Sequence, residues 1–203
     1  MIRSLVILIL ASAALAGCAA LIAPKVVNEP AALKAGAYAL DRDHAALLFK
    51  VGHLGYSTYV GRFEIFDASL DFDADNPAAA HVEAIIDIAS LDVASDDFAG
   101  TLKGAGWFEA DAFPKAVFRS TGIEITGANT GVMTGDLTLK GVTAPVMLDV
   151  VFNGGAQDLI RGGYVVGFSA RCKLSRTAFG IDRFEALVSD EVTIEIEAEF
   201  KKR

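Results

Sequence analysis

The ten residues Glu191-Val-Thr-Ile-Glu-Ile-Glu-Ala-Glu-Phe200 (EVTIEIEAEF) alternate strictly between polar and apolar. Val192, Ile194, Ile196, Ala198 and Phe200 fall on one side, and Thr193, Glu195, Glu197 and Glu199 on the other. A period of two belongs to an extended strand, because successive side chains leave a pleated backbone on opposite faces. One apolar face and one carboxylate face predict a half-buried antiparallel strand with a wet outer side.

Outward from this segment the same pattern recurs back to Gly36. Leu47, Phe49, Val51 and His53 share a face, as do Ala68, Leu70 and Phe72, and then Val82, Ala84, Ile86 and Ile88. Val146, Leu148, Val150 and Phe152 form another row, and Val166, Phe168, Ala170, Cys172 and Leu174 a further one. Turn residues separate them: Asp75-Asn76-Pro77, Gly127-Ala128-Asn129, Gly141 to Pro145, and Gly154-Gly155. Ser95 to Gly106 lacks alternation and predicts a short helix. About eight such strands imply an all-β sandwich or closed antiparallel barrel, which holds either its own side chains or one small ligand.

Composition narrows the partners. A net charge of −8 and a pI near 4.8 argue against nucleic acid, which requires a basic face. Apolar residues make up 53% of the 203, enough for a sizeable core. Thirteen Phe against one Trp and four Tyr favour purely hydrophobic surface, either as solid core or as the lining of a cavity. Small inward residues, Ala68, Ala84 and Ala170, leave room beside the inward Phe49, Phe63, Phe72, Phe118, Phe152 and Phe168.

The first 18 residues, MIRSLVILILASAALAGC, combine one early cation (Arg3), an apolar run and small residues, the layout of a secretory signal. Leu15-Ala16-Gly17-Cys18 resembles the lipobox of bacterial lipoproteins, in which the leader is removed before a Cys that is then acylated. This reading assigns 1–17 to a signal peptide, 18–36 to the acylated Cys18 and a tether, and 37–203 to the domain. Acyl chains at about 0.8 kcal/mol per buried methylene would hold the protein to a membrane without any basic patch. Ala19, rather than Asp, after the Cys favours the outer membrane, with the domain facing the periplasm. With Cys18 acylated, Cys172 has no partner within the chain, and its row marks it as a small core residue.

An ordered set of short motifs runs through the domain. It comprises Tyr38-Ala-Leu-Asp41, Asp43-His44, Phe49-Lys-Val-Gly-His53 with Leu-Gly-Tyr-Ser after it, Gly61-Arg-Phe63 and Phe72-Asp73. It continues through Ser90-Leu-Asp92, Phe113-Pro114, Phe118-Arg-Ser120, Gly135 to Thr143, Ser175 to Gly180, and Asp190-Glu-Val192. This ordered set resembles the YceI-like family, and the resemblance implies a lipocalin-like β-barrel of the bacterial envelope that binds polyisoprenoid lipids. Members commonly carry His-Leu-Lys or His-Leu-Arg where this chain has Thr101-Leu102-Lys103.

Among candidate sites, His53 has several conceivable roles. Zinc needs three or four converging ligands, yet His44, His53 and His81 lie on different segments, so no metal is expected. No Gly-x-Ser-x-Gly elbow, inward carboxylate pair or Cys-His pattern accompanies it, so no catalytic residue is assigned. Two readings stay open: a donor to a backbone carbonyl that fixes a turn, and a polar contact at a cavity mouth. Tyr56 and Tyr59 suit an opening in the same way. Arg176 beside Phe179-Gly180 is expected in a structural ion pair. The expected cavity lining is Phe49, Val51, His53, Tyr56, Phe63, Leu70, Phe72, Ile86, Trp107, Phe118, Phe152 and Phe168. The expected function is sequestration or carriage of a polyprenyl chain or quinone, requiring no cofactor and compatible with a homodimer. A lipid- or quinone-acting enzyme and a non-binding scaffold are the alternatives.

Overall fold

The computed structural model describes residues 23–203. The leader, Cys18 and Ala19 lie outside the described residues. Ten strands run in chain order: β1 (Gly36–His53), β2 (Ser57–Phe63), β3 (Phe66–Phe72), β4 (His81–Asp87), β5 (Leu91–Asp92), β6 (Lys115–Ile125), β7 (Thr130–Leu139), β8 (Val142–Gln157), β9 (Tyr164–Ser175) and β10 (Val188–Lys202). One helix, α1 (Asp96–Lys103), stands between β5 and β6. Eight strands close a circuit in the order β1, β3, β4, β6, β7, β8, β9, β10 and back to β1, every pairing antiparallel. Closure leaves no edge in the main wall, which is how an all-antiparallel sheet satisfies its backbone.

The long first strand has two partners on one side. Its start, Gly36–Ala39, pairs with β3, and its end, Leu48–His53, pairs with β2, so β2 and the two-residue β5 form a spur off the barrel. On its other side β1 follows β10, with Phe49 opposite Ile194. The EVTIEIEAEF stretch therefore lies in the middle of β10, its apolar row inward. Ladder regularity breaks between Leu40 and Ala45, where β10 moves only from Phe200 to Ala198, and again between Val51 and His53. The extra residues, Asp41 to His44, carry the polar interruption visible in the sequence.

One end of the barrel, the entry end, is where β1 starts and β10 stops. The other, the helix end, is covered by α1. Ser95 caps that helix by accepting a hydrogen bond from Phe98 N at 3.3 Å, and Asp96 and Asp97 occupy its first turn while Lys103 ends it. Ala99 and Leu102 form its buried face, followed by the buried Trp107 and Ala110. Thr101, where the family resemblance led us to expect histidine, is exposed and donates back to Asp97 O at 3.1 Å.

Two expected turns are corrected. Gly154-Gly155 lies inside β8, at a ladder irregularity opposite β9. Gly154 has φ +132°, and a Cβ there would strike Val26 and come within 2.6 Å of Asn28 Oδ1. The glycines thus make room for an incoming segment rather than reversing the chain. The Gly141–Pro145 stretch turns only at Lys140-Gly141, and β8 begins at Val142.

That incoming segment shortens the expected tether. Val27 and Gly155 exchange both backbone hydrogen bonds at 2.9 Å, and Leu33 is buried after a single turn of 3-10 helix at Pro30–Ala32. The Tyr38 hydroxyl donates to Lys34 O, and burial pushes its pKa up to about 12, so it remains a neutral donor. Residues 27 to 35 are consequently part of the barrel's entry end.

Candidate functional site

In a filled small barrel the inward side chains are fully buried. Here many are not. Val51, Ala84, Ile86, Met133, Val150, Ala170, Leu174, Val192 and Ile194 point inward yet are only half-buried, because they border an internal space. That cavity is about 400 Å3, within the range of roughly 300–1,000 Å3 usual for ligand sites. All eight barrel strands contribute to its wall. Two groups of buried residues bound it: Phe49, Trp107, Phe118 and Leu148 among those toward the helix end, and Leu33, Leu70, Phe152 and Phe200 toward the entry end.

Eleven of the twelve residues proposed from the sequence line this cavity: Phe49, Val51, His53, Phe63, Leu70, Phe72, Ile86, Trp107, Phe118, Phe152 and Phe168. Tyr56 does not. It is 89% exposed at the tip of the β1–β2 turn, where Leu54 (φ +53°) and Gly55 (φ +71°) reverse the chain and carry the ring outward. Tyr59, on β2, takes the place at the rim instead, 6.2 Å from the His53 ring and edge-on to Phe98 at 5.6 Å.

Polar groups in the wall are few, and most are already engaged. Arg176, 4% exposed, donates from Nε to Ser189 O (3.0 Å), from Nη1 to Ile181 O (2.6 Å) and Arg183 O (2.9 Å), and from Nη2 to Val188 O (3.0 Å). The expected ion pair is therefore a carbonyl clamp: the five guanidinium protons reach more acceptors than one carboxylate supplies, and they hold the β9–β10 loop shut. Asn129 donates to Phe152 O at 3.2 Å. By contrast, the side chains of His53 and Tyr59 have no hydrogen-bond partner among the described residues, so the turn-fixing carbonyl bond expected for His53 is not made. Cys172 borders the cavity as a buried thiol whose pKa is pushed up to about 11 by desolvation, which keeps it protonated and unreactive.

A second polar group sits outside the barrel at the entry end. Asp41, buried in the β1 irregularity, accepts from Lys201 Nζ (2.8 Å) and Arg161 Nη1 (3.3 Å) and faces His44 Nδ1 (3.0 Å). The Lys201 bond, with help from His44, holds its carboxyl below the usual range. Arg161 also pairs with Asp158 (2.7 Å) and lies 2.8 Å from Glu199. Asp41, His44 and Glu199 bring donor atoms within 4.8 Å of one another. The ammonium and the guanidinium already supply the positive charge a metal would bring, so the group reads as a structural clasp.

Sequence reasoning found only Phe118 of the β6–β7 wall and none of the helix residues. Met133, Leu137 and Leu139 alternate in β7 and could have been found by their period, whereas Leu33, Phe98 and Leu102 come from segments without alternation.

The YceI-like domain profile matches residues 38–200 of this sequence, nearly the whole barrel. The chain belongs to the YceI-like family. Among relatives, the UPF0312 protein of Azotobacter vinelandii is 38% identical over 164 residues, covering 80% of this chain and 85% of its own. In structure the chain is similar to BcnA of Burkholderia cenocepacia, with a TM-score of 0.72 at 25% identity, covering 79% of this chain and 98% of that one. A polyisoprenoid-binding domain from Saccharophagus degradans has the same fold at a TM-score of 0.62 and 15% identity, over 82% of this chain and 98% of that one. The closed eight-stranded barrel with one short helix is thus the YceI-like architecture.

Proposed function

We propose that this YceI-like protein is an acylated, periplasm-facing envelope lipoprotein that takes one long isoprenoid chain, polyprenyl or quinone in type, into its barrel and sequesters or carries it. The observation that carries the reading is the cavity wall: inward apolar side chains from every strand remain half-buried around a space without an unpaired charge. The polyisoprenoid-binding domain that shares the fold supports the choice of ligand class.

Burying a linear apolar chain gains roughly 25 cal/mol per Å2, and this gain needs no directional contact along the wall. Specificity then falls at the ends. His53 and Tyr59, at the helix-end rim and without a side-chain hydrogen-bond partner among the described residues, are placed to hydrogen-bond a neutral headgroup. Arg176 is committed to carbonyls, so an ionised headgroup finds no free counter-charge there.

The role is binding rather than catalysis. A general base requires an orienting partner, which His53 does not have among the described residues, and the Cys172 thiol is held protonated. No cofactor is needed for this role.

Trp107, the single tryptophan of the chain, lies in the cavity wall and reports occupancy directly. Titration with a long-chain quinone is expected to quench its emission saturably, and a polyprenol is expected to compete. Unchanged emission through both titrations would refute the proposal.

A further inference from the structure

The entry end carries an apolar projection that the cavity does not use. Leu159 and Ile160, 64% and 68% exposed, form the tip of the β8–β9 loop. This tip is held out by design of its base: Asp158 is buried and accepts from Ile160 N (2.8 Å), Arg161 N (2.9 Å) and Arg161 Nε (2.7 Å). A loop fixed by three bonds to present two large aliphatic side chains to water is a built feature rather than a frayed one.

Chain direction says what covers it. Val27 is pinned to Gly155 of β8, two residues before that strand ends at Gln157, so the N-terminal segment leaves the barrel beside this loop. Val26 and Val27 are themselves exposed there. Of the cations at the same end, Lys34 donates to Gln157 Oε1 (3.4 Å) and Lys202 to Ala35 O (2.6 Å). Among the acids at this end, Asp41, Asp158 and Glu199 face Arg161 and Lys201, while Glu29, Asp43, Asp71, Asp73, Asp75 and Glu124 are exposed, so attachment of this face rests on its apolar tip and the anchor rather than on charge.

Cys18 is nine residues before Val27 in the sequence. Nine residues reach at most roughly 32 Å even when fully extended, whereas β8 from Gly155 to Val142 runs roughly 40 Å along the strand. An anchor at Cys18 therefore keeps the entry end at the bilayer and the helix end away from it.

Resting on the lipoprotein reading above, we propose that the entry end is a membrane-docking face on which Leu159 and Ile160 insert into the bilayer that holds the anchor. The His53–Tyr59 rim then points into the aqueous space, so a bound headgroup is presented to soluble partners rather than to the anchoring membrane.

The test uses the full acylated chain in vesicles of phosphatidylethanolamine and phosphatidylglycerol. An environment-sensitive fluorophore is placed by Ile160→Cys, or by Phe184→Cys at the helix end; the buried Cys172 stays unlabelled. The label at 160 is expected to shift to the blue and to be quenched roughly two-fold or more by nitroxide lipids, while that at 184 is unaffected. Quenching at 184 but not at 160, or at neither, would overturn the proposal. So would a blue shift at 160 that appears with rising protein concentration and no vesicles, which marks a second copy as the occupant. If mass spectrometry shows Cys18 without acyl chains, the anchor reading fails separately. The same two labels are then read on chain added to preformed vesicles, where quenching at 160 upholds docking and its absence refutes it.

Discussion

Gly61 stands directly opposite Phe49 in the β1–β2 pairing, and the Phe49 ring fills the space that a Cβ on residue 61 would need. Val93 closes the same gap from the other side, 2.7 Å from that Cβ position. The ring packs against Gly61, where it forms both core and cavity wall. Gly61→Ala is expected to cost roughly 1–3 kcal/mol of stability, the usual penalty for overpacking. The midpoint of urea unfolding measures it, and an unchanged midpoint would mean that the ring has room to move.

Arg176 offers a sharper contrast between charge and hydrogen bonding. Its guanidinium serves four carbonyls around the β9–β10 loop. Arg176→Met leaves those acceptors unpaired in a buried place, with an expected loss of about 3 kcal/mol or more. Arg176→Lys keeps the charge but not the geometry, and should recover only a minor part of the loss. Full recovery by lysine in denaturant titrations would restore the ion-pair view.

Cavity and solid core respond oppositely to added bulk. Ala170 points inward and borders the empty space. Ala170→Phe is therefore expected to leave the melting temperature unchanged or raised while cutting polyprenol uptake roughly ten-fold or more. In a filled barrel the same change would destabilise by roughly 1–3 kcal/mol. Paired melting and uptake measurements separate the two.

Acid should loosen the entry end before the barrel. Backbone and side-chain hydrogen bonds from Arg161 pull the Asp158 pKa down to about 2 from an ordinary 3.8. A carboxyl whose folded pKa is depressed contributes stability that is present above its unfolded value and lost as pH falls through the folded one. Amide exchange at Ile160 and Arg161, corrected for the intrinsic rate, should rise as pH drops from 3.8 toward 2. Asp158→Ala should show the faster exchange already at neutral pH. Equal protection in both proteins would dissociate the loop from this carboxylate.

Much of the barrel was legible in the sequence because its wall obeys one rule. A period of two placed the rows of β10, β9, β8, β4 and β3, and each points into the cavity as read. What remained hidden depends on contacts between distant segments. Gly154-Gly155 looks like a turn because the sequence does not reveal that Val26 to Asn28 press on it. Tyr56 and Tyr59 are equivalent in composition, and only the positive φ angles at Leu54 and Gly55 send one outward. Arg176 suggested a carboxylate because a cation in an apolar setting implies an anion; a ring of converging carbonyls leaves no local signature. The lining from α1 and the Pro30–Leu33 turn was missed because those segments meet the barrel by packing, not by period.

The central claim is that the interior exists to hold an isoprenoid, and extraction tests it most directly. The full chain, purified from bacterial membranes without added lipid, is extracted with organic solvent and the extract read by mass spectrometry. A polyprenol or long-chain quinone in a near-stoichiometric amount is expected, and it should be depleted in Ala170→Phe. An extract with no isoprenoid, together with no uptake of added polyprenol by the emptied protein, would contradict the account.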